Sequence, residues 1–414
     1  MYRKKWFTVT SLLIVMLVLA SCSSSGDSSK ADGDDTTINV WALGEEGENL
    51  QAFAEDFEEE HSNITVDVQA LPWDEAYKKF LTAVASGDGP DLLQVDTAWV
   101  AQFASAGMFE DLSSYIDDYP TFSEDNFFDG AVETMEYEDE LVGIPWYSDT
   151  RLMFYRSDIL SEAGYDEAPE TWDDFTDVAT KLADRGDKEY GAGIDQSNIN
   201  LPFILAWQHG WQLDPDDEYG NLDDEKFEEA FKLLMSFFDE GLAPTGKSME
   251  PIVGFGKGVQ PMMFSGPWTA NVISDKLPDI DGDWDVELMP EKEDHTSIFG
   301  GSQLSVFKGS ENVEASVEFI SYLAEKETQV EWFKENGNLP AVTDAWEDEV
   351  FEENDKTKVF KEQLDTAQAI PQTEHWLKLI EASQRSIEKI KSGDANVDEG
   401  LEEFQEEAKK ILSE

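Results

Sequence analysis

The segment from Thr36 to Ala106 alternates short β-rich runs with amphipathic helical patterns. The β-rich runs are Thr36–Leu43, Ile64–Leu71 and residues 91–96. A stretch with the apolar spacing of a helix follows each run. The first helix is indicated by Leu50, Phe53, Ala54 and Phe57, the second by Tyr77, Phe80, Leu81 and Val84, and the third spans residues 97–106. Strands that alternate with helices form βαβ units with parallel strands. We therefore predict an α/β fold with a largely parallel sheet.

The remaining chain has a more helical pattern. Apolar residues mark helices near residues 227–234, 313–320 and 401–411, and short apolar runs at residues 141–144, 260–264 and 304–307 predict isolated strands. Three passages that contain Gly or Pro interrupt these patterns, at residues 143–150, 299–304 and 336–341. At roughly 150 residues per domain, 414 residues suggest two or three domains. The three passages are therefore candidate crossings between lobes.

The acid excess of the chain limits its partners. It has 91 Asp and Glu against 29 Lys and Arg, which gives a formal net charge of −62. Such a chain repels DNA and RNA, and the same excess of acids disfavours binding to anionic lipid through basic patches. Salt screens the repulsion between like charges, so we predict a protein adapted to a salty medium. The alternative is an acidic surface that only aids solubility.

Cysteine and histidine are too few for the common metal and redox sites. The single Cys excludes an internal disulfide and a CxxC site, and the four His have no HExxH spacing. We therefore predict no metal and no cofactor.

The N-terminus has the features of an export signal. Arg3, Lys4 and Lys5 precede an apolar stretch that is too short to span a bilayer and ends in Leu-Ala-Ser-Cys22. This ending resembles a bacterial lipobox, which implies that residues 1–21 are removed and that Cys22 carries a lipid anchor. The alternative is an ordinary secretory signal with a chance cysteine. Residues 23–35 are rich in Ser, Gly and Asp, so residues 22–35 are interpreted as the lipidated Cys and a flexible tether.

Five stretches of the body resemble the family-1 extracellular solute-binding proteins, which serve carbohydrate ABC importers. They are spread in order over most of the chain: VWALGEEGENLQAFAEDFEEEH, LTAVASGDGPDLLQVDTAWVAQFASAG, GIPWYSDTRLMFYRSDIL, PMMFSGPW and FGGSQLSVFKGS. Each stretch alone is weak, but the set in this order is typical of the family. It does not specify the sugar.

The resemblance implies a two-lobed periplasmic-binding-protein type II fold with a hinge and a ligand cleft between the lobes. Lobe 1 is expected to comprise residues 36–145 and 300–338, and lobe 2 residues 148–298 and 342–414. The implied function is capture of a mono- or oligosaccharide, with a glucoside of the maltose or trehalose type as one candidate, and its delivery to a membrane permease. We expect a lipid-anchored, non-enzymatic monomer on the outer face of the cell membrane.

The carboxyl ends of strands predict the first site residues, because ligands of open α/β sheets bind there. Glu45 and Glu46 follow the first strand, although they also suit the N-terminus of the next helix. Asp96 and Thr97 follow the third strand, where Asp96 alternatively caps a helix.

The segment from Gly143 to Arg151 predicts the centre of the site. It combines a candidate hinge with two aromatic residues, an acid and an arginine: Trp146, Tyr147, Asp149 and Arg151. The resemblance implies that Tyr147 and Asp149 contact sugar, whereas Arg151 alternatively pairs with one of the many acids. Further candidates are Trp207, Trp268, Phe299, Gly300, Gly301 and Trp376. Each Trp has core packing as its alternative role, but Trp268 follows Ser-Gly-Pro at the end of a strand and is favoured for ligand.

Two other functions stay open at this stage. A surface glycosidase needs two carboxylates, but with 91 acids a plausible pair carries no information. A receptor for a non-sugar solute is the other alternative. The aromatic residues of the site segments favour carbohydrate.

Overall fold

Three sheets organise the computed structural model, which describes residues 35–194, 199–214, 217–246 and 249–413. Thirteen strands occur in these residues: β1 (Thr36–Leu43), β2 (Ile64–Leu71), β3 (Leu92–Asp96), β4 (Glu136–Tyr137), β5 (Glu140–Leu141), β6 (Ile144–Asp149), β7 (Leu152–Tyr155), β8 (Ala192–Gly193), β9 (Met262–Ser265), β10 (Asp285–Glu287), β11 (Ser297–Val306), β12 (Leu339–Pro340) and β13 (Ala367–Ala369).

Sixteen α-helices occur in the same residues. They are α1 (Gly44–Glu60), α2 (Trp73–Ser86), α3 (Val100–Ser105), α4 (Asp129–Met135), α5 (Ser157–Ala163), α6 (Trp172–Ala183), α7 (Leu201–Gln208), α8 (Glu225–Asp239), α9 (Pro251–Gly256), α10 (Trp268–Lys276), α11 (Val313–Leu323), α12 (Lys326–Asn336), α13 (Glu349–Glu352), α14 (Asp355–Asp365), α15 (Trp376–Ser392) and α16 (Val397–Leu412). Within the described part of the chain, none of them combines the length and the apolar character that a bilayer span requires.

The first sheet has the order β12-β6-β11-β3-β1-β2, and β13 adds to one end of β11. Strands β1, β2 and β3 are parallel, which confirms the βαβ prediction for this segment. The buried face of α1 is formed by Leu50, Phe53, Ala54 and Phe57, the residues that carried its predicted spacing. Strand β11 runs antiparallel to both β3 and β6 and lies between them. We call the part of the molecule built on this sheet the first lobe.

The second sheet has the order β10-β7-β9-β8, and we call the part built on it the second lobe. In its aromatic core the rings of Trp172 and Phe175 lie 5.3 Å apart, and each lies 5.3–5.9 Å from the rings of Phe237 and Phe264. Helices α7, α8, α15 and α16 pack beside it. The molecule thus has a mixed α/β fold with two lobes.

The chain passes repeatedly between the parts built on the two sheets. It leaves the first sheet between β6 and β7, returns between β10 and β11, and leaves again after β12 to reach α14, which packs against β10. Because β6 pairs with β11 as far as Asp149, the first sheet includes residues beyond the predicted boundary at residue 145. Phe351 of α13 packs on Phe333 of α12, so this stretch also lies against the first lobe, although residues 342–414 were assigned to the second. The full assignment of residues to lobes stays a prediction.

Candidate ligand-binding site

Strand β11 brings together the carboxyl ends of β3 and β6. In the ladder Asp96 pairs with Ser302, and Asp149 pairs with Gly300. Two of the predicted carboxylates, Asp96 and Asp149, therefore stand at one edge of the first sheet on either side of β11. This edge is where the chain crosses into the second lobe.

Asp149 forms an ion pair with Arg151 at the crossing. The Nη1 atom of Arg151 lies 2.8 Å from Oδ1 of Asp149, and the two side chains are only 16% and 18% exposed. Gly300 leaves room for this carboxylate, since a Cβ atom at this position would lie 2.3 Å from Asp149 Oδ1. The pair satisfies the acid only in part, because a carboxylate accepts several hydrogen bonds. Asp149 can therefore accept hydrogen bonds from a ligand while Arg151 holds it in place.

Burial raises the pKa of the Asp96 carboxyl to about 7. The backbone N–H of Ala98 donates to this carboxylate at 2.8 Å and lowers its pKa, and the positive charge of Arg151 also lowers it. The negative charge of Asp149 raises the pKa further. The hydrogen bond from Ala98 is the helix-capping interaction that the sequence predicts as the alternative role of Asp96. Near neutral pH the group exists in both protonation states, so it can donate to or accept from a ligand hydroxyl.

Tyr147 connects this edge to the first helix. Its hydroxyl donates to Oε1 of Glu46 at 3.4 Å and accepts from Ser302 Oγ at 3.1 Å and Gln94 Nε2 at 3.3 Å. Gln94 is fixed in turn by the backbone N–H of Leu43, which donates to its Oε1 at 2.7 Å. Burial and the charge of Glu46 raise the pKa of the Tyr147 hydroxyl well above its usual value, so it stays neutral.

A cavity of about 590 Å³ opens beside Glu46, and both lobes line it. The first lobe contributes Glu45, Glu46 and Trp73, and the second contributes Trp268 and Asn271. Burial raises the pKa of Glu46, while hydrogen bonds with Asn338, Tyr147 and Trp73 lower it. The volume lies in the range of ~300–1,000 Å³ that is usual for small-molecule sites.

Trp268 joins the cavity to the paired carboxylate. It is the first residue of α10 and is 42% exposed. The guanidinium carbon of Arg151 lies 4.8 Å from the centroid of its ring, which is a cation–π distance. An exposed indole backed by a fixed cation is a preformed surface for the C–H face of a ligand. Its exposure agrees with the strand-end position from which it was predicted.

Five other predicted residues lie inside the packed cores. Trp146 packs on Trp332 at 4.4 Å, and the rings of Trp207 and Trp376 stack at 6.2 Å. Phe299 and Thr97 are also buried. Gly301 has a φ of +121° and approaches the backbone of β6. Direct ligand contact by these residues stays a prediction. The indole N–H groups of Trp146, Trp207 and Trp376 have no hydrogen-bond partner among the described residues.

The sequence analysis missed several residues that the structure adds to the site. Trp73 follows the end of β2 directly, so the strand-end rule that selected Glu45 and Asp96 also points to it. Gln94 and Ser302 lie inside strands, where a buried polar residue within an apolar run is the only signal. Asn271 and Asn338 have no comparable sequence signal, because their position depends on how the two lobes meet.

Comparison with known proteins places the chain in a family. Residues 41–330 match the family described as bacterial extracellular solute-binding protein. The sugar-binding protein MalE of Xanthomonas citri superposes with a TM-score of 0.84 at 28% identity, covering 91% of this chain and 97% of that one. The GacH receptor of Streptomyces glaucescens, which was also solved with acarbose, gives 0.80 at 26% identity, covering 92% and 99%.

A curated relative agrees with the structural matches. The maltotriose-binding protein of Pyrococcus abyssi is 25% identical over 342 residues, which cover 80% of this chain and 72% of the relative. The family match extends over well more than half of the chain, and the fold and the cleft between its lobes agree with it. The protein is therefore a member of the bacterial extracellular solute-binding family.

Proposed function

We propose that this protein is the carbohydrate receptor of an ABC importer, which binds an oligosaccharide between its lobes and delivers it to a membrane permease. The observation that carries the proposal is the exposed face of Trp268, which lies against the Arg151–Asp149 pair and lines a cavity shared by both lobes. Similar proteins are the sugar-binding protein MalE, the GacH receptor, which was solved in complex with acarbose, and the maltotriose-binding protein.

The proposed contacts follow from the chemistry of a pyranose ring. Its C–H faces suit an aromatic ring, and its hydroxyl groups suit carboxylates held at fixed positions. In the proposal Trp268 contacts a face, while Asp96, Asp149 and Glu45 bind hydroxyls and Tyr147 holds Glu46. Closure of the lobes by a hinge motion would bury the sugar and present a distinct surface to the permease. The protein itself would catalyse no reaction.

A ligand screen in high salt tests the proposal. Mono- and oligosaccharides should be compared with amino acids and metal chelates by calorimetry and by thermal melting. A ligand at 100 times its Kd stabilises the fold by about 2.7 kcal/mol, which is a melting shift of a few degrees for a chain of this size. Hydrolysis of a bound glycan, or tight binding of an amino acid or chelate with no sugar bound, would overturn the proposal.

We also propose that Cys22 carries the lipid anchor, although this residue lies outside the described part of the structure. Two acyl chains give stable membrane attachment where a single chain is marginal. Cys22→Ser should abolish incorporation of labelled fatty acid and release the protein or leave the uncleaved precursor. Ser28→Ala in the tether is the matched control and should leave labelling intact. Fatty-acid labelling of the Cys22→Ser variant at the wild-type level would contradict the anchor.

The fold should gain stability with salt, because we propose that the protein is adapted to a salty medium. The net charge of −62 produces self-repulsion that salt screens, and the Debye length falls to ~3 Å at 1 M. The melting temperature should rise between low salt and ~1 M of either NaCl or KCl. An uncharged osmolyte at equal osmolality serves as the control for non-electrostatic stabilisation. A melting temperature that stays flat or falls over this range would show that the acid excess serves only solubility.

A further inference from the structure

A buried network of hydrogen bonds lies next to the sheet edge that carries Asp149. It joins Gln94 of β3, Ser302 of β11 and Tyr147 of β6, which are three adjacent strands of the first sheet, and all three side chains are buried. In the ladder Tyr147 is opposite Ser302, and Asp149 follows two residues later on the same face of β6. The network therefore adjoins a carboxylate that binds sugar in the proposed function.

The side-chain amide of Gln94 is held in one orientation. The backbone N–H of Leu43 donates to its Oε1 at 2.7 Å, so its NH₂ group faces the other way. That group donates to the Tyr147 hydroxyl at 3.3 Å and to Ser302 Oγ at 3.1 Å, and Ser302 Oγ donates to the same hydroxyl at 3.1 Å. The Tyr147 hydroxyl thus accepts two hydrogen bonds, and its own O–H is directed at Oε1 of Glu46, 3.4 Å away.

This arrangement uses the full hydrogen-bonding capacity of the Tyr147 hydroxyl and the Glu46 carboxylate inside the protein. A hydroxyl donates one hydrogen bond and accepts two, and Tyr147 makes all of them within the network. A carboxylate offers about four acceptor sites. Those of Glu46 are taken by its own backbone N–H and by the side chains of Tyr147, Trp73 and Asn338. The two groups therefore hold each other and leave no hydrogen bond for a sugar.

We propose that Gln94 is a positioning residue of the sugar site. It acts through the Tyr147 hydroxyl, which holds Glu46 against β6 and thereby fixes the end of that strand, where Asp149 lies. This inference rests on the proposed function, since it assumes a sugar at Asp149. A buried polar network specifies one arrangement of the groups it joins. Its loss should lower the affinity for every sugar by a similar factor, because no single sugar hydroxyl depends on it.

A double-mutant cycle tests whether Gln94 acts through the Tyr147 hydroxyl. Calorimetry compares the wild type, Gln94→Met, Tyr147→Phe and the double variant with maltose, maltotriose, mannotriose and any further sugar that the screen finds. Each single variant should weaken the binding of every sugar by about tenfold. The double variant should bind within about twofold of either single variant, because both substitutions break the same network.

Gln303→Met is the matched control for the loss of a buried amide. Gln303 is as deeply buried as Gln94 and lies on the neighbouring strand β11, but its amide donates to Ser305 and not to the network. This variant should change stability and leave affinity within about twofold of the wild type. Ser302→Ala removes another donor to the Tyr147 hydroxyl, and it takes the place of Gln94→Met in the cycle if that variant does not fold.

Two results would overturn the positioning role while the proposed function stands. The first is that the losses multiply in the double variant, or that Gln94→Met binds sugar like the wild type. The second is that the loss in Tyr147→Phe disappears for one monodeoxy derivative of the tightest-binding sugar, since the phenol hydroxyl would then contact that sugar directly. A wild-type protein that binds no sugar of the screen would overturn both proposals.

Discussion

Asp149→Ala should weaken carbohydrate binding by at least an order of magnitude while the protein stays folded. The carboxylate accepts from Arg151 at 2.8 Å, and in the proposed function it also accepts hydrogen bonds from the sugar. Its removal also leaves the mostly buried Arg151 cation without its partner beside Trp268. Truncating one member of a buried charged pair costs ~2–5 kcal/mol, and the partial exposure of this pair reduces the expected cost toward the lower limit. Calorimetry with the best sugar of the screen measures the effect.

Asp158→Ala is the matched control for this variant. Asp158 also forms a short ion pair, with Arg156 at 2.6 Å, but it lies outside the site. Its loss should change stability and leave affinity unchanged. Gly300→Ala should reproduce the binding defect without removing the carboxylate, because its Cβ would displace Asp149 Oδ1. Wild-type affinity in both Asp149→Ala and Gly300→Ala would show that the sugar does not bind at this edge of the sheet.

Gly301→Ala should cost at least about 3 kcal/mol of unfolding free energy. The residue has a φ of +121°, and a Cβ atom there would lie 2.2 Å from the carbonyl oxygen of Tyr147. The obstacle is backbone in the paired strand β6, so no side-chain rotation relieves it, and β11 and β6 must separate locally. Urea denaturation followed by circular dichroism gives the free-energy difference.

Gly107→Ala separates the cost of the positive φ from the cost of the contact with the backbone of β6. Gly107 also has a positive φ, of +70°, but a Cβ atom added there would meet no other atom within 4 Å. Its substitution should cost only about 1–2 kcal/mol, from the left-handed conformation alone. Equal urea midpoints for Gly301→Ala and Gly107→Ala would show that the close approach of β11 to β6 does not constrain the fold.

The first lobe shows what local patterns can predict. The bounds of β1 and β2 agree with the β-rich runs from which they were predicted. Apolar residues recur along the whole length of both strands, so the pattern marks both ends. Strand β11 was predicted only over its last residues, 304–307, although it spans Ser297–Val306. The residues of β11 before Leu304 include Gly, Ser and Gln, and all of them are buried, so neither alternation nor an apolar run reveals this part of the strand.

Part of the candidate site could be predicted from the positions where strands end. That rule selected Glu45 and Asp96, and it applied equally to Trp73, which was overlooked. Asp149 was predicted instead from the segment around the candidate hinge and from the family resemblance. The neighbours of these residues depend on the register of β11, which pairs positions far apart in the chain, such as Asp96 and Ser302. Periodicity contains no information about such pairs. It also does not distinguish Trp268, which is exposed, from Trp207, which is packed in the core.

The place of β11 between β3 and β6 constrains how a newly made chain acquires its structure. Until the ribosome has passed residue 306, the first lobe lacks its central strand, and the facing edges of β3 and β6 have no partner. Unpaired edges of this kind are templates for association between chains. All four strands of the second sheet are encoded within that interval, whereas α15 and α16, which pack beside that sheet, follow β11 in the chain. A nascent chain therefore exposes these edges to association with other chains until its late-arriving strand has been synthesised.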